Sequence, residues 1–171
     1  MATKRRESRA SRVQRDRPAI ENRQRAVRLE LAFLERFLRR VNRELGLGPH
    51  SAFVRFVTEA EMARLNQTFR KKAGTTDVLS FPSETRRRPA GLRGRVKGLR
   101  GSFLGDIAIS PAVARRNAKA FGRSAEEEIC VLLLHGVLHL LGYDHESDDG
   151  EMKRVEARLR RRLRVAPFQL V

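Results

Sequence analysis

Leu31, Leu34, Phe37, Leu38, Val41 and Leu45 recur at intervals of three and four residues, the period of an α-helix with one buried face. Gly46 and Gly48 stop it. A short strand is expected ahead of this helix, around Ile20 to Leu29, and a second at residues 52–58, AlaPheValArgPheValThr, where apolar and polar positions roughly alternate. Thr58 and Glu61 have the spacing of a capping box and predict a helix through Leu65 to about Arg70. ThrAspValLeuSerPhe (76–81), ending at Pro82, and LeuGlyAspIleAlaIleSer (104–110) are rich in strand formers. Ser110 and Pro111 then occupy the N-cap and first-turn positions of a helix reaching Phe121, which Gly122 ends. Ser124 and Glu127 make a second capping box, opening the most apolar helix of the chain, which runs to Leu141 and stops at Gly142. A last amphipathic helix, 148–163, is heavily basic at its end.

Two stretches have no period. Residues 1–18 carry seven cations from Lys4 to Arg17 and almost no large apolar side chain, which predicts a disordered basic arm. Residues 83–103 mix glycine with arginine and predict a flexible basic loop joining two strands, either touching nucleic acid or remaining solvated. No internal repeat is present. Strands and helices in mixed order indicate an α+β fold, a single small mixed β-sheet of about four strands packed with about five helices, or a three-layer α/β relative of it.

At 171 residues and 40% apolar content the chain is sized for one domain, taken as residues 19–171. Even Ile129 to Leu141 is broken by His135, Gly136 and His139, so nothing approaches the roughly 20 apolar residues that cross a bilayer. A soluble protein is expected, with no membrane partner. The basic N-terminus has no apolar segment behind it, which argues against export, and Glu7 and Asp16 argue against an organelle transit peptide. The single cysteine, Cys130, lies in the run IleCysValLeuLeuLeu and reads as a packed core thiol in a reducing cytoplasm. A net charge of +17 points to an anionic partner, nucleic acid first, although an arginine-rich surface bias produces the same number. The two readings are compatible.

The candidate chemistry lies in HisGlyValLeuHisLeuLeuGlyTyrAspHis, residues 135–145. His135 and His139, four apart on a helix, project from one face a turn apart. Gly142 permits the reversal that brings His145 back toward them. Three imidazoles leave one tetrahedral position open, the pattern of a catalytic zinc site. The alternative is that they are core histidines satisfied by hydrogen bonds. His50, in the loop after Gly48, reads as an exposed turn residue. The spacing matches zinc peptidases of the metzincin kind, but those carry a glutamate base directly after the first histidine, where this chain has Gly136. Peptide cleavage would lack its proton shuttle, whereas a phosphodiester asks less of a protein base and more of a cationic clamp.

Three blocks together resemble the YbeY endoribonucleases, the ribosomal RNA maturation factor family: LeuAsnGlnThrPheArg (65–70) with ThrAspValLeuSerPhePro (76–82), LeuGlyAspIleAlaIle (104–109), and the histidine block with TyrAsp before its last histidine. The resemblance runs from roughly residue 20 to 163. It implies a zinc-hydrolase-like α+β fold and a metal-dependent endoribonuclease directed at single strands. It also implies a role in late ribosome assembly and quality control, including 3′-end maturation of small-subunit (16S) rRNA. One Zn²⁺ on His135, His139 and His145, a functional arginine at Arg70, ribosomal RNA and small-subunit proteins as partners, and a cytoplasmic location are further implications. Three imidazoles would also accept nickel or another late transition ion. Arg70 alone, flanked by Lys71 and Lys72, would read as a solvated charge. Asp144 is a candidate to orient a ligand imidazole or to cap the turn after Gly142, and Asp77 and Asp106 either support the site or are structural. The loop after Pro82 is longer and more basic than the family pattern requires, and the N-terminal arm has no family counterpart. Two rival readings are a noncatalytic, zinc-stabilised RNA-binding assembly factor and a zinc hydrolase of peptides or small molecules.

Overall fold

The computed structural model describes residues 19–83, 102–144 and 149–165. The basic arm, most of the arginine-rich loop, His145 and the C-terminal six residues lie outside the described residues. Four strands, β1 (Ile20–Asn22), β2 (Ala52–Phe56), β3 (Val78–Pro82) and β4 (Gly105–Ile109), form one mixed sheet in the order β1-β2-β4-β3. β1 and β4 run parallel to β2, and β3 runs antiparallel along β4 as an edge strand, with Leu79 opposite Ala108 and Phe81 opposite Asp106. Among the described residues five α-helices accompany the sheet: α1 (Leu31–Glu44), α2 (Glu59–Leu65), α3 (Pro111–Ala120), α4 (Ala125–Leu140) and α5 (Glu151–Leu163). The α+β expectation holds.

Strand alternation divides the apolar residues between two faces. Val54, Phe56, Ile107 and Ile109 join the principal core with Leu34 and Leu38 of α1 and with Leu133, Leu134 and Leu138 of α4. Ala108 and Leu79 point the other way and pack with Val57 and Met62 of the α2 side. α4 is the central helix: between Val131 and Leu140 every residue is buried except the two histidines. Its start is secured by Ser124, whose hydroxyl accepts from Glu127 N (3.1 Å) while the Glu127 carboxylate accepts from Ser124 N (2.8 Å).

Three expectations need correction. β1 is three residues long rather than ten, because buried Gln24 turns the chain out of the sheet, its side chain donating to Val27 O and accepting from Val27 N, each at 2.9 Å. At Thr58 the hydroxyl half of the box forms, with Glu61 N donating to Oγ1 (3.2 Å), but regular helix ends at Leu65. The stretch Asn66–Arg70 is instead a π-helical turn, closed by Lys71 at φ 56°. Ser110 and Pro111 do take the N-cap and first-turn positions of α3, with no side-chain cap bond, and Ser110 N donates to Asp77 O (2.8 Å). Finally, α5 begins at Glu151, with Gly150 as its N-cap residue.

Two glycines set how closely the layers approach. A Cβ at Gly136 would stand 2.9 Å from Ile107 Cγ2, so α4 lies on β4 so closely that any larger residue would require the Ile107 side chain to shift. A Cβ at Gly105, φ 150°, would stand 2.1 Å from the carbonyl oxygen of Phe81 and force β3 away from β4.

Candidate active site

His135 and His139 leave α4 on the one side of that helix not covered by the core. Their rings meet edge to face, centroids 4.6 Å apart at 80°, and their Nε2 atoms are separated by 3.1 Å. The other nitrogen of His135, Nδ1, lies 2.9 Å from Glu156 Oε2 on α5. Arg160, one helical turn further along, donates to the second oxygen of that carboxylate. Burial pushes the Glu156 carboxyl up, but the hydrogen bond from His135 and the charge of Arg160 outweigh it and hold it below the usual carboxylate range. Glu156 is therefore an anionic acceptor, and the tautomer of His135 that donates to it from Nδ1 leaves Nε2 facing His139.

The two imidazoles fit a metal ion. Two nitrogens each about 2.0–2.1 Å from a tetrahedral zinc are about 3.3 Å apart, close to the 3.1 Å found here, and the buried carboxylate behind His135 is the customary partner of a metal-ligating histidine. Among the described residues no group of three histidine, cysteine or acidic side chains assembles, and the expected third ligand, His145, lies outside them.

Chain direction after α4 is set by a Schellman motif. Gly142, at φ 85°, donates from its N–H to His139 O (2.8 Å), and Tyr143 N donates to Leu138 O (3.1 Å). Tyr143 is buried, and Asp144 turns back to line the same cleft as the two histidines. Gly136, between the histidines, faces Ile107 rather than the cleft, and its carbonyl accepts from Ser80 Oγ (3.2 Å). A glutamate at this position would enter the core.

The opposite wall is built from β3 and the π-helical turn. Arg70, exposed, and Phe69 stand at the end of that turn and line the cleft, an open depression of about 820 Å³. Asn66, buried, holds the turn through its Nδ2, which donates to Gly74 O (3.1 Å). Asp77 also borders the cleft, but its carboxylate accepts from Asn117 Nδ2 (3.0 Å) on α3 and from Thr76 Oγ1 (3.3 Å), which makes it a tie between β3 and α3. Asp106 lies in β4 between Phe53 and Phe81 and does not line the cleft. His50 is exposed in the turn after α1, and Cys130 is buried.

Sequence reading brought Arg70, Asp144, His135 and His139 to notice, and the fold gathers these four around one cleft. It missed Glu156. The available signal was its place on the apolar face of α5, in line with Met152, Leu159 and Leu163, all buried.

Comparison with known proteins places this arrangement. A family model described as "Endoribonuclease YbeY" matches residues 19–164. The chain belongs to the YbeY endoribonuclease family. The matched span takes in all the cleft residues described above together with Glu156 and His145. The chain is similar to the Endoribonuclease YbeY of Solibacter usitatus, 47% identical over 131 residues that cover 76% of this chain and 77% of that one. It is also similar to the Endoribonuclease YbeY of Aquifex aeolicus, 36% identical over 82% of this chain and 85% of the relative. Among solved structures, the solution structure of TM1509 from Thermotoga maritima superposes with a TM-score of 0.53 at 27% identity, covering 84% of this chain and 87% of the other.

Proposed function

We propose that this chain is a metal-dependent endoribonuclease directed at single-stranded RNA, acting in the cytoplasm in late ribosome assembly and quality control. Its tasks include 3′-end maturation of small-subunit (16S) ribosomal RNA, with the small subunit and its proteins as partners. The observation that carries the chemistry is the pair of Nε2 atoms 3.1 Å apart, one fixed by a buried carboxylate, in a cleft that also holds an arginine. Family membership supports the ribonuclease activity, and the net charge of +17 supports a nucleic-acid substrate.

His135, His139 and His145 would hold one Zn²⁺, which when bound supplies Lewis acidity to an oxygen of the scissile phosphate. Glu156 keeps the proton of His135 on Nδ1 and so leaves Nε2 as the ligating atom. Arg70 offers a planar fork of donors to the remaining phosphate oxygens and offsets the charge that grows on them. Asp144, lining the cleft beside the histidines, is placed to accept a hydrogen bond from a ligand ring or from attacking water. Peptidase chemistry has no support, because the position that would carry its base is glycine packed on Ile107.

The test is cleavage of a single-stranded ribosomal RNA fragment by metal-loaded protein. His139→Ala and Arg70→Ala are each expected to lower kcat/KM by about 100-fold or more. Equal cleavage by all three proteins would reveal a contaminating nuclease. Salt-sensitive RNA binding without turnover under any divalent ion would leave the noncatalytic assembly factor.

A further inference from the structure

Phe69 is 62% exposed, although a ring of this size gains free energy by leaving water. It directly precedes Arg70 in the π-helical turn, and both line the cleft with His135 and His139. Its position is braced. Phe81 of β3 meets the ring edge-on, centroids 4.9 Å apart and planes at 72°, and Phe81 itself packs against the cluster of Val57, Met62, Leu79 and Ala108. The turn beneath is pinned by the bond from Asn66 to Gly74. Widened π turns are rare, and those that occur are frequently at functional sites. The other exposed large apolar residues among the described ones, Phe33 and Phe121, lie outside this cleft.

We infer, building on the endoribonuclease reading, that Phe69, braced by Phe81, is the stacking platform for one unpaired base of the RNA. That base belongs to a nucleotide beside the phosphate held by Arg70. A phosphate clamp cannot tell a single strand from a duplex, because both carry the same phosphates. An aromatic face can, because a base reaches it only after leaving its own stack and pair. The open side of the Phe69 ring accepts any base, so the platform selects strandedness and register rather than sequence. Phe69 and Arg70 are neighbours in the turn as a base and its phosphate are neighbours in a nucleotide, which sets one phosphodiester at the mouth of the histidine pair.

The chain contains no tryptophan, so Phe69→Trp installs a single indole as a reporter. Titration with a single-stranded oligoribonucleotide is expected to quench its fluorescence, and the same sequence as a duplex is expected not to. In cleavage assays Phe69→Leu raises KM about tenfold with kcat within about twofold, an effect in the range of one base–aromatic stack. Phe69→Tyr recovers most of that loss. A substrate lacking the base on one side of the scissile bond costs the unaltered protein the same factor and costs Phe69→Leu nothing more. Unchanged KM in Phe69→Leu, or an indole indifferent to single-stranded RNA, overturns the platform while leaving the nuclease reading intact. Quenching by single strands without cleavage under any divalent ion upholds the platform and removes the nuclease reading.

Discussion

Glu156 occupies a place on α5 where the helical period calls for an apolar residue, between Met152 and Leu159. It stays ionised there because His135 and Arg160 both donate to it. In the proposed metal site, its contribution to metal binding would separate from its contribution to folding. Glu156→Gln keeps the shape and is expected to weaken zinc affinity by about 10- to 100-fold, measured by competition with a chromogenic chelator. Glu156→Ala also removes the carboxylate to which buried Arg160 and His135 both donate and is expected to lower stability by about 3–5 kcal/mol in denaturant unfolding. Cys130 is the other buried ionisable group that gives a clear expectation. Burial, with Glu126 and Glu127 nearby, pushes its thiol from 9.0 to about 12. The folded state favours the neutral thiol, so this stabilisation is complete below pH 9 and is lost as pH rises from 9 to about 12. Alkylation by iodoacetamide at pH 8 should be slow in the native protein and fast after denaturation. The histidines were legible because their spacing alone puts them on one face. Glu156 was not, because one of the two partners that make its burial tolerable, His135, is 21 residues away along the chain, and Arg160 four residues on does not by itself mark a buried pair.

At the scale of elements, the amphipathic period of α1, the capping box of α4 and the Gly142 reversal were each encoded locally, and each formed. The π-helical turn was not legible. LeuAsnGlnThrPheArg suits an ordinary helix equally well, and the bond that holds the turn, from the Asn66 side chain to Gly74 O, reaches into a loop that carries no period. β1 was overestimated for a related reason, since Gln24 satisfies Val27 with side-chain atoms where a continued strand would have used its neighbour. Glycine at two positions decides how elements meet. Gly105→Ala would drive a methyl into the Phe81 carbonyl at 2.1 Å, a backbone atom that cannot step aside. It is expected to cost about 2–3 kcal/mol, read as a lowered Tm, and to lower RNA cleavage as β3 shifts. Gly136→Ala meets the Ile107 side chain at 2.9 Å instead and, with a better helix former replacing glycine, should cost less.

For the whole molecule, one sheet edge and one helix face combine into a cleft with cationic, aromatic and imidazole groups on its walls, and among the described residues no helix is long and apolar enough to cross a membrane. The charge of +17 predicts an RNA affinity that depends steeply on salt. The apparent Kd for a single-stranded oligonucleotide should rise by at least tenfold between about 50 and 200 mM salt, and a flat profile would show that the surface charge takes no part in binding. Much of this architecture follows from patterns visible in the chain, but bringing Arg70 across to the histidines depends on sheet order, with β3 placed outside β4, which no local pattern encodes. The central claim remains that the imidazoles are metal ligands. Elemental analysis of the purified protein, paired with titration of the metal-free form, tests it most directly. One equivalent of zinc or another late transition ion per chain is expected, falling well below one in His139→Ala and in His145→Ala. A protein that takes up no divalent ion, or a His139→Ala variant that binds it as tightly as the unaltered chain, would contradict the account.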